Sequence, residues 1–138
     1  MLRSGFQSFL HTASSTRFTR AIVRCPCPNM VHGETTQTQN NKNIIPIYKI
    51  ALQQHADYVN ALKKTGLSVL ELPYDNQFPD SCFVEDTAVL TPHCAILTRP
   101  GVLVRRDEII GMKPVLDDLF EHVYSIQAPG TLDGKIHF

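Results

Sequence analysis

The chain has 138 residues, enough for one domain with a core of its own. Its apolar fraction of 43%, charged fraction of 19% and formal net charge of zero fit an ordinary globular protein and give no electrostatic case for nucleic acid. No apolar run approaches the ~20 residues needed to span a bilayer, so no membrane partner is expected either.

The first segment differs from the rest. Residues 1–33 carry Arg3, Arg17, Arg20 and Arg24 and no acid, and the stretch up to Arg20 is rich in Ser and Thr. That composition matches a mitochondrial transit peptide, with Leu2, Phe6, Phe9 and Leu10 able to line one helical face. Residues 1–16 are therefore set apart as an extension, either a transit peptide or a disordered segment, and residues 17–138 as the folded part. The location that follows is cytoplasmic or mitochondrial. Cys25, Cys27, Cys82 and Cys94 show neither a disulfide framework nor the spacing of a zinc site. Reduced, structural thiols are expected, and no metal.

Phe18 to Arg24 reads as a first strand, ended by Pro26 and Pro28. Pro28 to Pro46 reads as a long polar loop, of the length used for lids and binding loops. Tyr48 to Lys64 reads as an amphipathic helix, because Leu52, His55, Val59 and Leu62 recur at helical spacing. Lys63 and Lys64 suit its negative end and Gly66 its stop. Leu67 to Leu72 is the next expected strand, and Asp75 to Pro79 is turn chemistry. Strands are expected at Cys82–Leu90 and Ala95–Thr98. A second helix is expected over Arg106 to Glu121, kinked or restarted at Pro114. Val123 to Ala128 closes the series. This order makes two α/β units of similar size, and Thr131 to Gly134 reads as the opening of a third.

The densest chemistry lies in Asp80-Ser81-Cys82-Phe83-Val84-Glu85-Asp86. Carboxylates among residues of strand-like type carry a desolvation cost unless a cation offsets it. A planar guanidinium fits a carboxylate through two parallel hydrogen bonds. In a strict strand Glu85 and Asp86 would face opposite ways, so both serve one ligand only where the strand ends or bulges. The bland alternative is one acid paired structurally with Arg99 and the others in water.

Three stretches are recognisable in order: Phe78-Pro79-Asp80-Ser81-Cys82-Phe83-Val84-Glu85-Asp86-Thr87-Ala88-Val89-Leu90, Ile96-Leu97-Thr98-Arg99-Pro100-Gly101, and Ala128-Pro129-Gly130-Thr131-Leu132-Asp133-Gly134. Together they resemble the dimethylarginine dimethylaminohydrolase (dimethylargininase) family of the guanidine-modifying superfamily. The resemblance runs from about Arg17 to Gly134 and implies an α/β fold, a partial five-bladed α/β-propeller (pentein) of about two of five units.

The resemblance also implies roles. Asp80 and Asp86 would bind the guanidinium of methylated arginine, with Glu85 beside them and Phe83 as an apolar wall. Arg99 would face the substrate's carboxylate, and the loop around Gly33 would be a lid. Asp133 would be the carboxylate that orients a catalytic histidine. The small-molecule substrate would be methylated arginine, hydrolysed to citrulline and dimethylamine through a covalent cysteine intermediate, with no cofactor. Two departures stand out. Glu34 occupies a lid position that is commonly leucine, where it would repack the lid or meet the substrate's ammonium. After Gly134 the chain reads Lys135-Ile136-His137-Phe138, so the family's histidine and nucleophilic cysteine are not found. The expectation is a truncated form or an incomplete gene model, inactive alone. The alternatives are a non-catalytic binding module and a fragment of an arginine or agmatine deiminase.

Overall fold

The structure is a computed structural model that describes residues 18–33 and 47–133. The extension over 1–16, the polar loop from Glu34 to Pro46 and the segment from Gly134 onward lie outside the described residues.

The first unit is a parallel crossover. Strand β1 (Arg20–Arg24) pairs in parallel with β2 (Ser68–Leu72), in a register that sets Ile22 opposite Leu70. Helix α1 (Tyr48–Lys64) connects them and keeps the bounds its periodicity predicts. It ends as Thr65 Oγ1 donates to the Leu62 carbonyl at 2.7 Å and Gly66 takes a left-handed φ of 88°. Glycine reaches that conformation without the Cβ penalty other residues meet.

The second unit repeats the crossover and adds a strand. Strands β3 (Ala88–Leu90) and β4 (Ala95–Leu97) form an antiparallel pair, and β5 (Val123–Ser125) lies parallel to β4 on its other side. Helix α2 (Glu108–Asp117) bridges β4 and β5. It starts later and ends earlier than the sequence suggests, and a 3-10 turn at Leu103–Arg105 stands before it. Pro114 sits inside α2, where its missing N–H leaves the Ile110 carbonyl without a helical donor.

One core joins the two units. Leu72 of β2, Ala95 and Leu97 of β4, and Met112 and Leu116 of α2 are buried together, with Ile22, Val84 and Phe120 packed around them. Between the sheets lies an open apolar groove of about 740 Å3, bordered by Ile22, Val23, Tyr58, Phe83, Val89 and Met112. The mixed α/β content with two small sheets agrees with the expected class. No described helix is long and apolar enough to cross a membrane.

Candidate functional site

The acidic stretch is not a strand. Residues 78–87 form a chain of tight turns closed by i to i+3 backbone bonds. The Ser81 N–H donates to Phe78, Phe83 to Asp80, Asp86 to Phe83 and Thr87 to Val84. Val84–Asp86 is a turn of 3-10 helix, and pairing begins only at Ala88. The expected strand over Cys82–Leu90 is thus shortened to its last three residues. Short polar side chains favour this outcome by bonding the backbone locally. Thr87 Oγ1 donates to the Val84 carbonyl at 2.7 Å, and Thr98 Oγ1 donates to the Asp86 carbonyl at 2.6 Å. The turn still parts the two acids: Asp86 is buried, while Glu85 is exposed.

A second segment holds this turn from outside. Cys27 is buried with its thiol towards the Phe78 and Pro79 carbonyls, and Asn29 Nδ2 donates to the Asn76 carbonyl at 3.0 Å. These contacts bring Gly33 against Asp80. A Cβ on Gly33 would fall on the Asp80 carboxylate, so any larger residue there would have to push that side chain aside.

The cation that meets the acids is Arg105, not Arg99. Arg105 Nη1 donates to Asp86 Oδ2 at 2.6 Å. Its Nε and Nη2 donate to Glu108 Oε1 and Oε2 at 3.0 and 2.9 Å, and Nη2 also reaches the Asp80 carbonyl at 3.4 Å. The Arg105 side chain is 13% exposed and those of Asp86 and Glu108 are 5% and 2%. Burial opposes the Arg105 charge, but the hydrogen bonds and charges of Glu108 and Asp86 more than offset it and raise its pKa. Burial raises the Glu108 carboxyl; the Arg105 contacts pull it down, and the Asp80 and Asp86 charges push it up again. The Asp86 and Glu108 carboxylates therefore converge on one guanidinium, which the Asp80 backbone carbonyl also approaches.

One atom of this cluster stands out. Asp86 Oδ1 is buried and has no hydrogen-bond partner among the described residues. A buried acceptor left unpaired costs about 1–3 kcal/mol, and more when charged.

The other sequence candidates fall in two further places. Phe83, 46% exposed, and Glu85 border the apolar groove rather than the Arg105 cluster. Arg99 and Asp133 lie where Arg99 bridges to Leu132. There Arg99 Nη1 donates to the Gly130 carbonyl at 3.0 Å, and Asp133 Oδ1 accepts from the Gly101 N–H at 3.2 Å. Glu34 lies outside the described residues. Cys82 also borders the groove, and burial, then Asp80 and Cys27, push its thiol up to about 11. Among the described residues, no group of three His, Cys, Asp or Glu is arranged to hold a metal ion.

Arg105 and Glu108 were not singled out in the sequence, because they sit beside the expected second helix and resemble an ordinary charged helix start. The available signal was the Arg-x-x-Glu spacing, which brings both side chains to one face of a turn.

No family model matches the chain. Over 117 residues, 84% of this chain, it is 38% identical to an N(G),N(G)-dimethylarginine dimethylaminohydrolase of Pseudomonas aeruginosa. The chain is related to the dimethylarginine dimethylaminohydrolases. It spans 44% of the length of that relative. A solved dimethylarginine dimethylaminohydrolase of Pseudomonas aeruginosa, a cysteine-to-serine variant in complex with citrulline, superposes with a TM-score of 0.79 at 37% identity. That match covers 85% of this chain and 45% of the solved one. The N-terminal domain of a cyanobacterial arginine dihydrolase superposes at a TM-score of 0.74 over 86% of this chain and 43% of that one. At 15% identity it is a likeness of fold alone.

Proposed function

We propose that this chain carries the guanidinium-binding part of a hydrolase that converts methylated arginine to citrulline and dimethylamine. The observation that carries the reading is the buried Asp86 Oδ1, without a partner among the described residues, beside Arg105 and Glu108 on a motif related to the dimethylarginine dimethylaminohydrolases. A guanidinium N–H is the group that would satisfy that oxygen, by a charge-assisted hydrogen bond.

In this reading Asp86 and Asp80 bind the methylated guanidinium. Glu85 and Phe83 line its approach from the groove side, and Glu34 is assigned to the lid. Arg99 offers its remaining N–H groups to the substrate's carboxylate, a bidentate match that lysine would not reproduce. Asp133 orients the imidazole of a catalytic histidine, the third-group role in a cysteine–histidine–acid arrangement. The reaction proceeds through a covalent cysteine intermediate, and the histidine supplies acid–base catalysis worth ~10²–10⁴-fold. None of Cys25, Cys27, Cys82 and Cys94 is assigned the nucleophilic role, and the chain by itself is expected to bind but not to turn over. The two α/β units correspond to two of the five units of a propeller.

Calorimetric titration of the chain with Nω,Nω-dimethylarginine tests the reading. Binding that is lost in Asp86→Asn, with the variant still folded, is the expected result. Equal binding by wild type and Asp86→Asn would remove the carboxylate from the site.

A further inference from the structure

We infer that Glu108 is a positioning residue of this site, which holds Arg105 so that Asp86 keeps one carboxylate oxygen open for a cationic ligand. The inference deepens the guanidinium reading above and rests on it for the nature of the ligand.

The shape of arginine decides how it can be shared. Its guanidinium is a planar fork that closes on a carboxylate through two parallel hydrogen bonds. Had Arg105 faced Asp86 alone, both Asp86 oxygens would be its natural acceptors, and the charge would be sealed. The structure shows a different division. Glu108 takes the Nε and Nη2 edge of Arg105 at 3.0 and 2.9 Å. Asp86 receives only Nη1, through Oδ2, at 2.6 Å. Oδ1 of the same carboxylate is left buried and without a partner among the described residues.

Charge follows geometry. Two buried carboxylates share one guanidinium, so the trio keeps one negative charge in a place of low exposure. A cationic ligand then restores neutrality and completes Asp86 in one step. Glu108 does not touch that ligand in this arrangement; it acts through Arg105. Its backbone makes the task feasible, since Glu108 opens α2 and Arg105 closes the preceding 3-10 turn, three residues apart. The side chains therefore meet across one turn, and Glu108 grips Arg105 without long-range folding.

The test compares Glu108→Gln and Glu108→Asp with wild type, using the whole chain. Titration uses two probes of nearly equal shape, Nω,Nω-dimethylarginine, which is cationic at its guanidinium, and citrulline, which is not. Glu108→Gln is expected to lose tenfold or more in affinity for dimethylarginine and to stay within twofold for citrulline. Glu108→Asp, which keeps the charge, is expected to recover most of the loss. Equal losses for both probes, or none, would overturn the inference. A second measurement needs no ligand: the urea midpoint of Asp86→Asn, taken in the wild-type and Glu108→Gln backgrounds. If the two acids compete for Arg105, Asp86→Asn lowers the midpoint further once Glu108 is gone. An equal or smaller shift would mean that Glu108 only braces the fold, and would reject the inference. Should Glu108→Gln lose its cooperative melt, Glu108→Met takes its place in both measurements, with Glu108→Asp kept as the charge-retaining rescue. A wild type that binds neither probe would sink the guanidinium reading, and the urea comparison would then decide the role of Glu108 alone.

Discussion

Gly33 and Asp80, far apart in sequence, stand so close that a methyl group on the glycine would land on the aspartate's carboxylate. The backbone at Gly33 is ordinary, with φ −68°, so the glycine is required by space and not by backbone strain. This contact ties the end of the Pro28–His32 turn to the acidic turn. Gly33→Ala is expected to displace Asp80 and to reduce dimethylarginine affinity tenfold or more, with an overpacking cost of about 1–3 kcal/mol. Gly66→Ala is the control. It forces a left-handed φ of 88° on alanine, with nothing within 4 Å of the new Cβ. It should cost roughly 1–2 kcal/mol and leave affinity unchanged. Calorimetry and urea melts on both variants separate the two effects, and equal affinity loss in both would undo the spatial argument.

Arg105→Met should be among the costliest single substitutions in the chain. It leaves Asp86 and Glu108 buried, mutually repelling and without their shared cation. Removing one partner of a buried ion pair typically costs about 3–5 kcal/mol. Lys113→Met, which breaks an exposed pair with Asp117 at 2.6 Å, should cost under about 1 kcal/mol. Urea denaturation of the two variants gives the comparison, and similar midpoints would contradict the picture of a buried hub.

Helix α1 was fully legible because Leu52, His55, Val59 and Leu62 set its period and Gly66 its end. The alternation of strand and helix was legible for the same reason. The acidic turn was not, since Phe83, Val84 and Val89 have strand-like character. The bonds that decide against a strand are local backbone contacts, together with a threonine hydroxyl twelve residues away. Asp80 and Asp86 stand out in the sequence, but the cation beside Asp86 does not, and the bland pairing of one acid with Arg99 gives way to Arg105. Arg99 has the simpler sequence setting, at the end of a strand beside Pro100. Arg105 reaches the acids only because a 3-10 turn redirects the chain before α2. That redirection has no periodic signature.

Glu108 should give the stability curve a recognisable slope. Burial is the main cause that raises its carboxyl above the ordinary 4.5. The folded protein then holds this proton more firmly than the unfolded chain does. By linkage, the stability Glu108 contributes is largest below 4.5 and declines as pH climbs through the raised value. Glu108→Gln removes that slope. The stability of wild type relative to Glu108→Gln should therefore fall between pH 4 and pH 7. Urea melts across that range check it, and a relative gain in the same interval would reverse the sign of the argument.

Gly111→Ala is expected to stabilise the chain by about 0.5–1 kcal/mol, because glycine inside a helix is entropically costly. The new Cβ would meet Arg24 Nη2 at 3.5 Å, an ordinary contact. A thermal melt suffices, and a lower midpoint would mean that the buried Arg24 guanidinium cannot yield even slightly at α2.

Cys82 lies within the acidic motif and borders the groove, which makes it the cysteine that invites a nucleophilic role. Its thiol argues against one. Burial comes first, then the Asp80 carboxylate, and together they push its pKa up to about 11 from an ordinary 9.0. At neutral pH that leaves about a hundredfold less thiolate than an unperturbed cysteine would have, and the thiolate is the reactive form. Iodoacetamide at pH 7.5, followed by peptide mass spectrometry, should label Cys82 far more slowly than a reference thiol peptide. Asp80→Asn should speed that labelling, since it removes the second-largest cause of the shift. Cys82 labelling as fast as the reference would show an activated thiol, and would return the nucleophile to this chain.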